Sequence, residues 1–89
     1  MKLKYRFVQR EVAGQWVAVA VGPDHSHFNG MVKLNATGAF VMELLMEGDR
    51  TEEELLHAML ERYDVTEQRA KESLDRVLDA LRQGGLLEE

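Results

Sequence analysis

A single segment, residues 31–48, divides this chain into a strand-forming half and a helix-forming half. Its first four residues, Met31 to Leu34, have the composition of a short strand, and the side-chain oxygen of Asn35 can then cap a helix N-terminus. Apolar residues recur behind Asn35 at helical spacing as far as Gly48, a residue whose left-handed conformation readily closes a helix. Patterns typical of strands precede this segment, and patterns typical of helices follow it.

Two apolar patterns before this segment predict a β-hairpin. Residues 2–8 alternate basic and apolar side chains, which is the period of a strand with one buried face. Residues 16–21 are apolar at every position and therefore predict a central strand. Ala13 and Gly14 supply a turn between the two runs. With residues 31–34 as an edge strand, the three runs predict an antiparallel meander.

Three helices are predicted to follow the strands. They span residues 36–47, the residues from Thr51 to about Tyr63, and the residues from Thr66 to Gly84. Thr51 and Glu54 form a capping box, in which each side chain accepts a hydrogen bond from the other residue's backbone amide. Leu86 and Leu87 come after the last helix and are expected to fold back as an apolar clip.

The order of these elements predicts an α+β fold of the winged helix-turn-helix type, a three-stranded antiparallel sheet followed by three helices. The chain of 89 residues has the length of one domain. Residues 1–34 are expected to form its strand-rich wing, and residues 35–87 its trihelical unit.

Charge is distributed unevenly between the two halves, with a balance of +3 over residues 1–34 and −8 over residues 35–89. This asymmetry is typical of two solvated faces, and it also fits a basic strand region that faces an acidic partner. The chain has no cysteine, no signal-peptide pattern and no apolar run near the roughly 20 residues of a membrane span. We therefore expect a cytoplasmic protein without disulfides and without contact to a membrane.

The third helix lacks the charge of a helix that reads DNA. Between residues 67 and 82, four basic side chains are balanced by four acidic ones. Duplex DNA is bound through clustered basic residues, so nucleic acid is not the expected partner. A winged-helix regulator that binds DNA or a protein remains the alternative function.

Residues that carry chemistry are sparse. His25 and His27 lie in the loop of residues 22–30 and could supply two metal ligands. Neither a nearby third histidine nor a cysteine completes such a site, so solvated loop histidines are the simpler interpretation. Nucleophile-and-base arrangements and phosphate-binding glycine loops are missing. We expect no enzyme activity, no catalytic residue, no metal and no cofactor.

Several short fragments stand in a characteristic order between residues 31 and 87. They are Leu34-Asn35 followed by Thr37-Gly38, the spacing of Gly48, Thr51 and Leu55, the pair Tyr63-Asp64, and the pair Gly85-Leu86. In this order they resemble the family of coenzyme PQQ synthesis protein D. The resemblance implies a RiPP recognition element, which binds the leader of a ribosomally made precursor peptide and presents it to a modifying enzyme, frequently a radical SAM protein. It leaves open whether the product is PQQ or another peptide.

In that family the leader adds as a strand to the third strand and lies against the third helix. The unpaired backbone groups of an edge strand at residues 31–34 are themselves a template for strand addition. The peptide-binding residues that this implies here are Met31, Val32, Lys33, Leu34, Ser73, Arg76, Val77 and Ala80. Because an exposed edge can also pair with its own copy, a homodimer is possible.

The face of the third helix that borders the peptide is open from the residues alone. Helical spacing assigns to the core Ala70, Leu74, Val77 and Leu81. Ser73, Arg76 and Ala80 lie on one flank, where two small side chains leave room and Arg76 can pair with a carboxylate. The rival flank consists of Lys71, Asp75, Leu78 and Arg82.

Overall fold

A three-stranded antiparallel sheet followed by three helices forms the protein, as the sequence predicts. The computed structural model describes residues 1–21 and 31–89. The strands are β1 Lys2–Leu3, β2 Phe7–Val12, β3 Gln15–Ala20, β4 Met31–Leu34 and β5 Leu87–Glu88. The helices are α1 Ala36–Glu47, α2 Glu52–Arg62 and α3 Glu67–Gln83. His25 and His27, which the sequence analysis interprets as solvated loop histidines, lie outside the described residues.

The sheet has the order β2-β3-β4, so β3 is central and β4 lies at an edge, as predicted. A two-residue turn joins β2 to β3, with Val12 directly opposite Gln15. Both turn residues have positive φ, 52° at Ala13 and 81° at Gly14, which is the requirement of the turn type that suits a tight hairpin. Glycine adopts this conformation without strain. Ala13 has a Cβ atom, so its positive φ costs conformational energy.

The predicted strand over residues 2–8 is wrong, because that run forms parts of two different strands. Lys2 and Leu3 pair with β5 at the C-terminus, and the Lys4 amide donates to the Leu86 carbonyl at 2.9 Å. The strand of the main sheet begins only at Phe7 and continues to Val12. The alternating pattern identified strand-forming residues correctly, but it carries no information about a partner strand at the other end of the chain.

The core lies between the inner face of the sheet and the helices. Phe7, Ala18 and Ala20 supply the buried residues of the sheet. The helices contribute most of the rest, namely Val41, Met42, Leu45, Leu55, Met59, Ala70, Leu74, Leu78 and Leu81. The predicted apolar clip is confirmed, since Leu86 and Leu87 are buried in the same cluster.

The predicted core positions of α3 leave out one fully buried residue and include one that is only partly buried. Leu78 is fully buried, with 0% of its surface exposed, whereas Val77 is only partly buried. Both positions continue the helical spacing from Leu74, so the pattern alone could not separate them. Leu78 had been assigned to the rival flank of the peptide site, and its burial removes it from either surface.

Side-chain caps begin all three helices, as predicted. Asn35 Oδ1 accepts from the Gly38 amide at 2.8 Å, and Thr66 Oγ1 accepts from the Arg69 amide at 3.2 Å. Thr51 and Glu54 form the complete capping box. These bonds satisfy helix amides that have no partner within the helix.

The ends of α1 and α3 differ from each other. Gly48 follows α1 in an extended conformation with φ 164°, so the left-handed closure that we expected there is wrong. At the end of α3, Gly85 has φ 70°, and the Leu86 amide donates back to the Leu81 carbonyl at 2.9 Å. This closure reverses the chain and directs Leu86 and Leu87 into the core.

The capping box predicts a specific loss of stability in acid. The Glu54 carboxylate accepts from the Thr51 amide at 2.9 Å, and this hydrogen bond holds the pKa of Glu54 below its ordinary value of 4.5. Because folding lowers this pKa, the stabilisation is complete above pH 4.5 and is lost as the pH falls through the folded-state pKa. We expect Glu54→Gln to show a smaller drop in Tm between pH 6 and pH 3 than the wild type.

Glu53→Gln is the matched control, because Glu53 is exposed on the same helical turn and does not bond to Thr51. It should keep the full acid sensitivity of the wild type. Thermal melts at the two pH values measure the difference, and an identical drop in Glu54→Gln and Glu53→Gln would contradict the assignment.

Candidate functional site

The free edge of β4 is the first component of the candidate site. β4 pairs with β3 on one side, with Met31 opposite Val19 and Leu34 opposite Trp16. Within residues 1–21 and 31–89, its other side makes no backbone hydrogen bond. Alternate residues of an antiparallel strand turn their amide and carbonyl away from the paired neighbour. This edge can therefore offer two donors and two acceptors to an added strand.

The side chains of β4 divide between the two faces of the sheet. Val32 and Leu34 are partly buried and pack against the core on the inner face. Met31 and Lys33 point to the opposite face, where Met31 is 60% exposed. A strand added beside β4 would place alternate side chains over the inner and the outer face in the same way.

Helix α3 supplies the second component. Val77 is partly buried and packs against the same apolar cluster as Val32 and Leu34. Ser73 is partly buried, while Arg76 and Ala80 are exposed on the neighbouring surface. In the described part of the chain, the Arg76 guanidinium forms no ion pair. This flank combines small side chains, an apolar floor and one cation without a partner.

One residue of the rival flank of α3, Arg82, is engaged by other parts of the protein. Lys71 lines a groove together with Glu52 and Glu53 of α2. The Arg82 guanidinium binds Glu89 at 2.9 and 3.1 Å, and it also contacts Asp79 at 3.3 Å. These contacts occupy the C-terminal end of the rival flank and leave the groove at Lys71 open.

The Arg82–Glu89 pair also ties the C-terminal residues to α3. Its hydrogen bonds hold the pKa of the Glu89 carboxyl below the ordinary value. The pair is exposed, so its contribution to the free energy of unfolding is small. It positions the residues that follow β5 without forming part of the candidate site.

A separate cavity of about 300 Å³ lies between α1, the end of α2 and the inner face of the sheet. Trp16, Phe40 and Tyr63 line it, and the rings of Phe40 and Tyr63 meet edge to face with centroids 5.8 Å apart. Trp16 is partly buried. The Gln9 amide donates to the Ala39 carbonyl at 3.0 Å and so joins β2 to α1.

The His, Asp and Glu side chains of the described residues do not gather into a metal site. Across the described ranges, no group of three or more His, Asp or Glu side chains could hold a metal ion. His57 contacts Glu61 at 2.7 Å on the exposed face of α2. In the same ranges, no helix is both long enough and apolar enough to cross a membrane.

Two solved structures resemble this protein over nearly its whole length. TbiB1 in complex with the TbiA(beta) leader peptide is 27% identical, with a TM-score of 0.73, and the match covers 99% of this chain and 95% of that one. A lasso peptide synthetase B1 complexed with the leader peptide shares the fold, with 15% identity, a TM-score of 0.69 and coverage of 99% and 96%. No curated protein sequence matches the chain.

A family model also matches the chain, and it extends well beyond the helical fragments noted in the sequence. The model is that of coenzyme PQQ synthesis protein D (PqqD), and it covers residues 16–87. The match runs from β3 through the whole candidate site to the C-terminal clip, which is more than half of the chain. The protein therefore belongs to the PqqD family.

Proposed function

We propose that this protein binds the leader segment of a ribosomally made precursor peptide as an additional strand on β4, and presents the precursor to a modifying enzyme. The observation that carries the proposal is the free backbone edge of Met31–Leu34, whose Val32 and Leu34 pack against the same core cluster as Val77 of α3. The leader peptide bound to TbiB1, which shares 27% identity and the fold, supports it.

Backbone pairing alone does not account for tight binding. Four ladder hydrogen bonds contribute about 4 kcal/mol gross at about 1 kcal/mol each. Ordering a flexible peptide costs roughly 2–5 kcal/mol, whereas micromolar affinity requires about 8 kcal/mol net. Apolar leader side chains packed against Val77 and Val32 would add about 2 kcal/mol each. These contributions sum to about 3–6 kcal/mol net, so micromolar affinity also requires a charge-assisted contact with the leader.

Arg76 is the proposed charge contact of the site. Its neighbours Ser73 and Ala80 are small, so a peptide carboxylate can approach the guanidinium closely. Arginine binds carboxylates through paired hydrogen bonds, which add orientation as well as energy. Lys33 on the outer side of β4 can serve a second acidic leader residue in the same manner.

The role requires binding and no catalysis, and we propose that the protein is an adaptor without enzyme activity of its own. It acts in the cytoplasm, where the precursor is translated. The enzyme that receives the precursor belongs to a lasso peptide synthetase, the kind of enzyme named for one structural neighbour that shares the fold at 15% identity. A radical SAM enzyme, as the family resemblance implies, is the alternative, and purification with either enzyme distinguishes them. A homodimer formed through β4 would compete with the leader for the same edge.

Arg76→Glu is expected to weaken leader binding about tenfold, because it removes one charge-assisted contact and introduces a repulsive one. Calorimetric titration with a synthetic leader of the precursor encoded beside this chain measures the change. Lys71→Glu is the matched control, since Lys71 is an exposed cation on the opposite flank of α3. It should bind the leader within about twofold of the wild type.

The two parts of the proposal fail separately in this titration. A wild-type protein that does not bind the leader would overturn the function. Wild-type affinity in Arg76→Glu, together with unchanged Tm values, would overturn the assignment of this flank and leave strand addition intact.

A further inference from the structure

The face of the sheet that points away from the helices is apolar and exposed. We call it the outer face, and it consists of Val8, Arg10, Val12, Gln15, Val17, Val19, Met31 and Lys33. Val8, Val19 and Met31 form a row across all three strands, since Val8 pairs with Val19 and Val19 with Met31. Val8 is 47% exposed and Val19 is 39% exposed. Contiguous exposed apolar surface of this kind marks an interaction site.

The charged residues of the outer face have a single sign. Arg10 and Lys33 stand on either side of Val17 in the next row, and neither makes an ion pair in residues 1–21 and 31–89. Glu11 is on the same strand, but it alternates to the opposite face, where it pairs with Trp16. The basic side chains of the outer face thus belong to residues 1–34, the half of the sequence with a positive charge balance.

The charge pattern argues against a second copy as the occupant. Two copies packed through this face would bury four cations without a carboxylate between them, and unpaired buried charges are strongly unfavourable. A partner with apolar side chains bordered by Asp or Glu meets both features of the face. Charge complementarity of this kind determines which partner binds and how fast it associates.

The outer face is also continuous with the edge that the leader would extend. A strand added to β4 would place a leader residue beside Met31 and another beside Lys33, and so lengthen both rows by one position. A protein that covers the outer face would therefore contact the adaptor and the outward-facing leader side chains together.

We propose that the modifying enzyme docks on the outer face through an apolar patch bordered by carboxylates, and that it recognises the combined surface of β2, β3, β4 and the leader. This inference rests on the proposed function and names the surface through which the precursor is handed over. The leader and the enzyme then strengthen each other's binding by the same factor, because the coupling of two ligands is reciprocal.

Three variants test the docking surface, with the purified modifying enzyme encoded beside this chain as the probe. Val8→Glu and Val19→Glu each place a negative charge in the apolar row, and Arg10→Glu reverses one bordering cation. We expect each to weaken the binding of the enzyme to the leader-loaded adaptor about tenfold or more, while leader affinity stays within about twofold. Val65→Glu is the control, because Val65 is 41% exposed in the segment between α2 and α3.

Each outcome of the experiment decides between the proposals. If the wild type does not bind the leader, the proposed function is overturned rather than the docking surface. Normal leader binding with unchanged enzyme binding in Val19→Glu and Arg10→Glu would overturn the docking surface alone. Sedimentation that shows a wild-type dimer and a monomeric Val8→Glu would place a second copy on the face and also contradict the inference.

Discussion

Replacing Lys33 with proline is expected to weaken leader binding about 100-fold, which corresponds to about 2.8 kcal/mol of binding free energy. Proline has no backbone N–H, and its ring obstructs the approach of a neighbouring strand. In a strand of four residues, one such position interrupts most of the ladder that β4 can offer. The Val21 amide donates to the Arg6 carbonyl opposite it, and alternation from this pair through the register turns the Lys33 amide away from β3. The fold should survive, because an edge strand tolerates proline where the missing N–H faces away from the sheet. Titration calorimetry with the synthetic leader, combined with a thermal melt, measures both effects.

The matched control is Glu11→Pro on β2, the other edge strand of the same sheet. It places the same residue in a comparable strand that the leader does not use. We expect Glu11→Pro to bind the leader within about threefold of the wild type. An equal loss of leader affinity in both variants would mean that proline disturbs the whole sheet. Wild-type leader affinity in both variants would mean that the leader does not add to β4.

Leu78→Ala is expected to lower stability and Val77→Ala to lower leader affinity, although the two residues are neighbours on α3. Leu78 is fully buried, so its truncation should cost about 2–5 kcal/mol of unfolding free energy. In a domain of this size, this lowers Tm by more than about 10 °C. Val77 is partly buried beside the peptide site, so Val77→Ala should cost only about 1 kcal/mol of stability. It should weaken leader binding about fivefold.

Chemical denaturation measures the first quantity and titration the second. Leu78→Ala must be titrated at a temperature where it is folded, and its leader affinity should then match the wild type. A large loss of stability in Val77→Ala with no change in leader affinity would return Val77 to the core and contradict the site.

Local signals of the sequence predicted most of the framework around the candidate site. Asn35, Thr51 and Thr66 each cap a helix, because capping depends on a side chain and an amide only three residues away. The edge position of β4 also follows from short-range order, since consecutive strands of a meander lie side by side. These features depend on neighbours in the sequence, and the sequence therefore indicates them directly.

Features that depend on contacts between residues far apart in the sequence could not be predicted from local patterns. Leu3 belongs to a strand whose partner is Leu87, so alternation could not show that residues 2–8 divide between two sheets. The choice between Val77 and Leu78 depends on the packing of α3 against the rest of the core, because both positions fit a period of 3.6.

The outer face was missed for a related reason. The first strand was predicted to end at Val8, which left Arg10 and Val12 outside any strand. In the structure β2 extends to Val12, and the alternation of Val8, Arg10 and Val12 continues along one side of it. Strand bounds are set by cross-strand pairing with β3, which the composition of β2 alone does not reveal.

Amide hydrogen exchange on β4, with and without the leader, tests strand addition most directly. In the free protein, the amides of Met31–Leu34 that point away from β3 exchange readily with solvent. When the leader binds, we expect every second amide of β4 to slow by at least about tenfold, because each becomes a donor in the new ladder. Leader binding that leaves all the amides of β4 unchanged, or that protects the free edge of β2 instead, would contradict the account.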